Sequence, residues 1–164
     1  MEKNKRTYSK TEIDLNSLIE EVIYSYGPHL REMKVEYNLE LGKENPIILA
    51  DREAVVECLL NLLDNAVKYG RESGKMITIS TFQKRNTIQV DVADNGIGIS
   101  KKHQSHIFEK FYRVTKGNLA YKAKGTGLGL NIVKQIMENN GGQVKVKSTL
   151  GEGSCFSLLF PLKK

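Results

Sequence analysis

No run of about 18 apolar residues occurs in the 164-residue sequence, so no segment is built to cross a bilayer as a helix. The first residues, Met1-Glu2-Lys3-Asn4-Lys5-Arg6, have no apolar stretch behind them, which is not the pattern of a secretory signal. Cysteine is scarce. Cys58 and Cys155 stand far apart among apolar neighbours, and no zinc-type spacing exists. They are expected to be buried free thiols of a protein in a reducing cytoplasm. Internal repeats and low-complexity segments are also absent. What remains is globular: 40% hydrophobic and 27% charged residues exclude a disordered chain. The length suits one domain with a real core.

The net charge is +6, which raises nucleic acid as a partner. The basic residues are uneven, however. Lys101, Lys102, Lys110, Arg113, Lys116, Lys122 and Lys124 fall in one stretch beside two glycine-rich motifs. A concentrated positive field there suits a polyanionic nucleotide at least as well as a polymer. A solvated basic loop is the plain alternative.

Residues 1–12 read as a polar linker or arm, and 13–164 as the folded domain. Asp14 is placed to cap a helix whose stripe is Leu15, Leu18, Ile19, Val22, Ile23 and Tyr26, with Gly27-Pro28 weakening its end. Val35, Tyr37, Leu39 and Leu41 alternate as a half-buried strand. Pro46–Leu49 is a short extended piece. Asp51 caps a second helix carrying Val55, Leu59, Leu62, Leu63, Ala66 and Val67. Two strands follow around Arg85-Asn86. Residues 95–124 hold a helical patch near Ser100–Phe111 and otherwise a long loop, the kind usually retained for function. A third helix spans about 127–139, and two last strands flank Gly151-Glu152-Gly153. Helices do not alternate one-for-one with strands, which argues against a doubly wound sheet. The expected fold is α+β: a two-layer sandwich of a mixed, mostly antiparallel sheet with three helices on one face.

Three blocks carry chemistry. Asn61, Asn65 and Lys68 lie at i, i+4 and i+7 on the second helix and share a face. An asparagine carbonyl suits Mg²⁺, a hard ion that takes oxygen ligands, and a lysine neutralises phosphate. Capping of local backbone is the alternative use of the two asparagines. Asp94 ends a strand before Gly96 and Gly98. A carboxylate accepts but cannot donate, so it matches the exocyclic amino group of adenine and rejects the guanine carbonyl. An ordinary Asp-Asn-Gly turn reads the same way. Gly125-Thr126-Gly127-Leu128-Gly129-Leu130 opens a helix, and backbone N–H groups at such a terminus bind phosphate. It lacks the Gly-Lys-Ser/Thr of a Walker loop and the βαβ setting of a dinucleotide fingerprint.

In this order the blocks resemble those of one family, the catalytic ATP-binding domain of sensor histidine kinases, whose fold is shared with ATPases of gyrase, a heat-shock chaperone and mismatch-repair proteins. Asn61–Tyr69 resembles its N box. Asp94–Ile99 resembles the first glycine box, and Ile107–Arg113 the F box. Gly125–Leu130 matches the second glycine box, and Gly151–Ser154 with Phe156 the last glycine turn. The resemblance covers about residues 14–162. It implies that Asn65 ligates Mg²⁺ with Asn61 assisting, that Lys68 and Arg113 face phosphate, and that Tyr69 and Ile99 lie near the adenine. It further implies that Asp94 accepts from adenine, helped by the Ser154 hydroxyl or a water, and that Phe108 and Phe111 anchor an ATP lid at about 112–124.

In the gyrase and chaperone ATPases a glutamate four residues before the metal asparagine activates water. Here that position is Asn61. The resemblance therefore implies poor hydrolysis and an external nucleophile, a histidine on a dimerisation domain. His29, His103 and His106 do not match the acceptor motif and read as surface or packing residues. The implied cofactors are ATP and Mg²⁺. The implied partners are the kinase's own dimerisation domain and a response regulator, with no nucleic acid; the resemblance leaves a membrane-anchored parent open. Two rival readings predict different behaviour. A stand-alone anti-sigma-factor serine kinase of the same superfamily needs no further domain. A basic nucleic-acid-binding module shows steep salt dependence without Mg²⁺.

Overall fold

The computed structural model describes residues 6–112 and 129–163. In chain order these form β1 (Lys10–Asp14), α1 (Leu15–Glu32), β2 (Glu36–Glu40), β3 (Ile47–Asp51), α2 (Arg52–Lys68), β4 (Met76–Lys84), β5 (Thr87–Asp94), α3 (Lys101–Gln104), α4 (Gly129–Asn139), β6 (Gln143–Thr149) and β7 (Gly153–Pro161). Five strands make one sheet in the order β2-β4-β5-β7-β6, and β1 pairs with β3 in a separate two-stranded ribbon. Only the β2–β4 pair of the large sheet is parallel. The expected mixed, mostly antiparallel sheet is therefore present.

Alternation decides which face of the sheet is covered. Ile77 and Ile79 of β4, Ile88, Val90 and Val92 of β5, and Phe156, Leu158 and Phe160 of β7 all point into one core. Leu15, Leu18, Ile19, Leu59, Leu62, Leu63, Val133, Ile136 and Met137 meet them from α1, α2 and α4. Side chains at i and i+2 on a strand and at i, i+3 and i+4 on a helix must share a face, so these patterns leave one way to bury both.

Both long helices begin where an aspartate ends a strand. Asp14 accepts from the Ser17 N–H at 3.2 Å. Asp51 accepts from the Ala54 N–H at 3.0 Å through Oδ1 and from the Ser9 N–H at 2.7 Å through Oδ2. These donors hold the Asp51 carboxyl below the ordinary carboxylate range. Pro28 sits inside α1, where it has no hydrogen to donate to the turn before. Fully buried Leu30 carries the helix past it to Glu32.

Two local expectations change. Lys10–Glu12 are not an arm but the start of β1, where exposed side chains conceal a strand held by backbone pairing to Asp51–Leu49. The helical patch at 100–111 shrinks to the single turn of α3, followed by further turns.

Candidate functional site

The site grows from the ends of β5 and α2. Asp94 is the last residue of β5 and stands in register with Ser154 of β7. Its Oδ1 accepts from the Gly96 N–H at 2.9 Å and from the Ser154 N–H at 3.3 Å. Burial pushes the Asp94 carboxyl up, and the two N–H donors oppose the shift. Ser154 thus serves Asp94 through its backbone. Its hydroxyl lies 2.7 Å from Ser148 Oγ.

The glycines after Asp94 let backbone meet backbone. A Cβ on Gly96 would lie 2.2 Å from the Tyr69 carbonyl oxygen. Gly98 has φ +73°, and its Cβ would lie 2.1 Å from the Thr149 carbonyl oxygen. Between them the Ile97 N–H donates to Tyr69 O at 3.0 Å, and Ile97 O accepts from the Gly151 N–H at 2.7 Å. The loop is therefore pinned to the end of α2 on one side and to the β6–β7 turn on the other.

These elements enclose a largely apolar cavity of about 350 Å³. It brings together Asn65, Tyr69, Asp94, Gly98, Ile99, Leu130 and Ser154, seven residues singled out in the sequence. Gly96 buttresses the wall from behind. Asn61 is half-buried next to the start of α4, where a Cβ on Gly129 would lie 3.6 Å from Asn61 Oδ1. Lys68 is exposed on α2, outside the cavity lining. Arg113, Gly125, Thr126, Gly127 and Leu128 lie outside the described residues, as does the expected lid beyond Tyr112.

The two phenylalanines of the F-box segment sit differently. The Phe108 ring meets that of Phe156 edge-on at 6.2 Å and 87°. Phe111 faces outward. It is 64% exposed, with φ +66° and Lys110 Nζ 5.5 Å from its ring centroid. The positive φ turns Phe111 outward, and Ile107, 6% exposed, and half-buried Tyr112 pack inward in its place.

Sequence reasoning also missed His103. It lines the cavity with Tyr112, and its Nδ1 is hydrogen-bonded to the Tyr112 hydroxyl. The His106 ring stacks on Tyr112 at 5.4 Å and 27°, and its Nδ1 lies 2.6 Å from Glu109 Oε2. The turns that follow α3, closed by the His106 N–H to His103 O and the Tyr112 N–H to Glu109 O, bring the three rings together.

A largely apolar cavity with a half-buried carboxylate acceptor in its lining fits a planar base that carries an amino group. Among the described residues no three His, Cys, Asp or Glu side chains are grouped to hold a metal. Asn65, whose side chain carries one amide oxygen, lines the cavity. That fits a Mg²⁺ held chiefly by phosphates and water, with one protein ligand.

Residues 50–164 match the family model described as histidine kinase-, DNA gyrase B- and HSP90-like ATPase. Sensor protein RprX of Bacteroides fragilis is 35% identical over 164 residues, covering 99% of this chain and 31% of RprX. The catalytic domain of histidine kinase ThkA superposes with a TM-score of 0.80 at 29% identity, covering 93% of this chain and 97% of that one. ThkA in complex with response regulator protein TrrA gives 0.77 at 26% identity, with 94% and 42% covered. Full-length ShkA in complex with AMPPNP gives 0.83 at 28% identity, with 97% and 32% covered. The chain spans 24–39% of the length of the first three curated relatives it matches. With five of the family's motifs in order on a matching fold, the chain belongs to the histidine kinase-, gyrase- and HSP90-like ATPase family, and its relatives in it are sensor histidine kinases.

Proposed function

We propose that this domain binds Mg·ATP and donates the γ-phosphoryl group to a histidine on a separate dimerisation domain, from which a response regulator takes it onto an aspartate. One observation carries the reading: Asp94, whose carboxylate can only accept, and Asn65 of α2 line the same largely apolar cavity. Two similar structures support it. ShkA was crystallised with AMPPNP, and ThkA with a response regulator.

In this reading Asp94 accepts from the adenine 6-amino group, and Tyr69 and Ile99 flank the ring. Asn65 would hold a Mg²⁺ that arrives with the nucleotide, and that ion would supply neutralisation of phosphate charge. Lys68 and Arg113 add positive charge toward the phosphates, and the glycine turn from Gly125 to Gly129 offers N–H groups. Phosphoryl transfer asks mostly for such positioning and charge neutralisation. Asn61 cannot take a proton from water, so nothing at that position activates hydrolysis. The nucleophile comes from an imidazole nitrogen of the acceptor domain, and ADP leaves.

Two measurements test this. Calorimetry with a non-hydrolysable ATP analogue should show binding that strengthens when Mg²⁺ is added. With γ-labelled ATP, label should reach a supplied histidine-bearing dimerisation domain and stay absent from serine. Fast ATP hydrolysis by the domain alone, or labelled serine on a partner, would overturn the reading.

A further inference from the structure

Ser148 lies outside every motif, yet it holds the floor of the base pocket. Its Oγ is the acceptor for the Ile99 N–H at 2.7 Å. The same oxygen lies 2.9 Å from the Gly153 carbonyl oxygen and 2.7 Å from Ser154 Oγ. A serine hydroxyl has one hydrogen and two lone pairs. The Gly153 carbonyl can only accept, so the Ser148 hydrogen goes there. Both lone pairs are then taken, one by the Ile99 N–H and the other by the Ser154 O–H. The opposite assignment would leave Ser148 Oγ and Gly153 O 2.9 Å apart with no hydrogen between them.

Gln104 keeps this arrangement in place. Its Nε2 donates to Ile99 O at 2.7 Å and to Ser148 O at 3.0 Å. Both the N–H and the C=O of Ile99 are thereby tied to the β6–β7 turn. Ser154 itself is 8% exposed and lines the cavity beside Asp94.

We infer that Ser148 is a specificity-determining positioning residue: by taking the Ser154 hydrogen, it leaves Ser154 facing the nucleotide with lone pairs only. The inference rests on the adenine reading of the pocket. Asp94 and Ser154 then form a floor made only of acceptors. A 6-amino purine has two amino hydrogens for the two acceptors, whereas a 6-oxo purine sets O6 against them and has a single N1–H to offer, so it is excluded more strongly than by Asp94 alone.

The experiment compares ATP with inosine triphosphate, each displacing a fluorescent ATP analogue from the whole domain. Ser148→Ala frees the Ser154 hydrogen to turn into the cavity, and the ATP-over-ITP preference should fall about tenfold, the worth of one hydrogen bond. Ser148→Thr keeps the hydroxyl and should restore the preference. In a Ser154→Ala background, adding Ser148→Ala should leave the preference unchanged, because Ser148 acts through Ser154. Should Ser148→Ala fail to fold, Ser148→Cys fills the same space with a weak partner and should give an intermediate preference. An unchanged preference in a folded variant, equal weakening of both nucleotides, or the same fall in the Ser154→Ala background would overturn the role of Ser148. Failure of the parent domain to bind ATP would instead sink the functional reading on which it rests.

Discussion

Replacing Asp94 by asparagine separates recognition from folding. The substitution keeps the shape and keeps one carbonyl oxygen, which can go on accepting from the Gly96 and Ser154 N–H groups at 2.9 and 3.3 Å. Among the described residues, both of those bonds go to Oδ1, so the other carboxylate oxygen is the one left for the base. In the variant that end becomes an NH₂ donor aimed at the adenine NH₂ donor. A hydrogen bond to a charged acceptor contributes about 1.5–3 kcal/mol, and two donors left unpaired in a closed site cost about 1–3 kcal/mol more. A loss of about 3 kcal/mol follows, or roughly a hundredfold in Kd. Calorimetry with an ATP analogue reads it directly.

The pH dependence supplies a second check on the same variant. The Asp94 carboxyl is raised by burial, so ATP affinity of the parent should fall as pH drops through that raised value and the acceptor is protonated. In Asp94→Asn the affinity should be flat over the same range. For the empty domain the sign reverses. A carboxyl raised in the folded state contributes stability below its unfolded value, about 3.9, and that contribution is lost as pH rises through the folded value. The variant should therefore be no less stable than the parent at neutral pH by urea denaturation. If folded Asp94→Asn binds the analogue within about threefold of the parent, Asp94 does not read the base.

Three further outcomes can be measured. Gly96→Ala places a Cβ 2.2 Å from the Tyr69 carbonyl oxygen, against backbone that cannot yield, and should lose more than about 2 kcal/mol in urea titration together with nucleotide binding. Asp51→Ala removes the cap of α2 and the Ser9 contact and should cost about 1–2 kcal/mol at neutral pH. Because the Asp51 carboxyl is lowered in the folded state, its contribution is present above about pH 3.9 and lost as pH falls through the lowered value, so parent and variant should converge in acid. Phe108→Ala should lower the melting temperature clearly, by the loss of about 2–3 kcal/mol of packing against Phe156, whereas Phe111→Ala should change it little.

What was legible in the chain was whatever depends on local pattern. The stripes of α1 and α2, the capping aspartates 14 and 51, and the alternation of β5 and β7 all repeat at the period of their own element, and the sheet type followed from their order. β1 escaped because Lys10, Thr11 and Glu12 carry exposed side chains, and only backbone pairing to β3 makes them a strand. The resemblance implied Phe108 and Phe111 alike as lid anchors. The outward setting of Phe111 goes with a positive φ, which sequence does not display. Ser148 and Gln104 were invisible for another reason: their partners are backbone atoms of Ile99, Gly153 and Ser148 and the Ser154 hydroxyl, brought near only by the fold. Gly96 stands where a Cβ would meet a neighbouring carbonyl, a constraint that sequence alone does not show.

The pairing of Asp94 with Ser154 is the last rung of the β5–β7 ladder, joining residues 60 positions apart. A slip of one residue between these strands would set Gly153 or Cys155 against Asp94 and abolish the acceptor floor, even with every hydrogen bond of the ladder remade. Nucleotide binding is thus a proofreading step on strand register. Of all the compact chains this sequence can form, ATP stabilises only those whose central strands have met at the right tooth, by RT ln(1 + [ATP]/Kd).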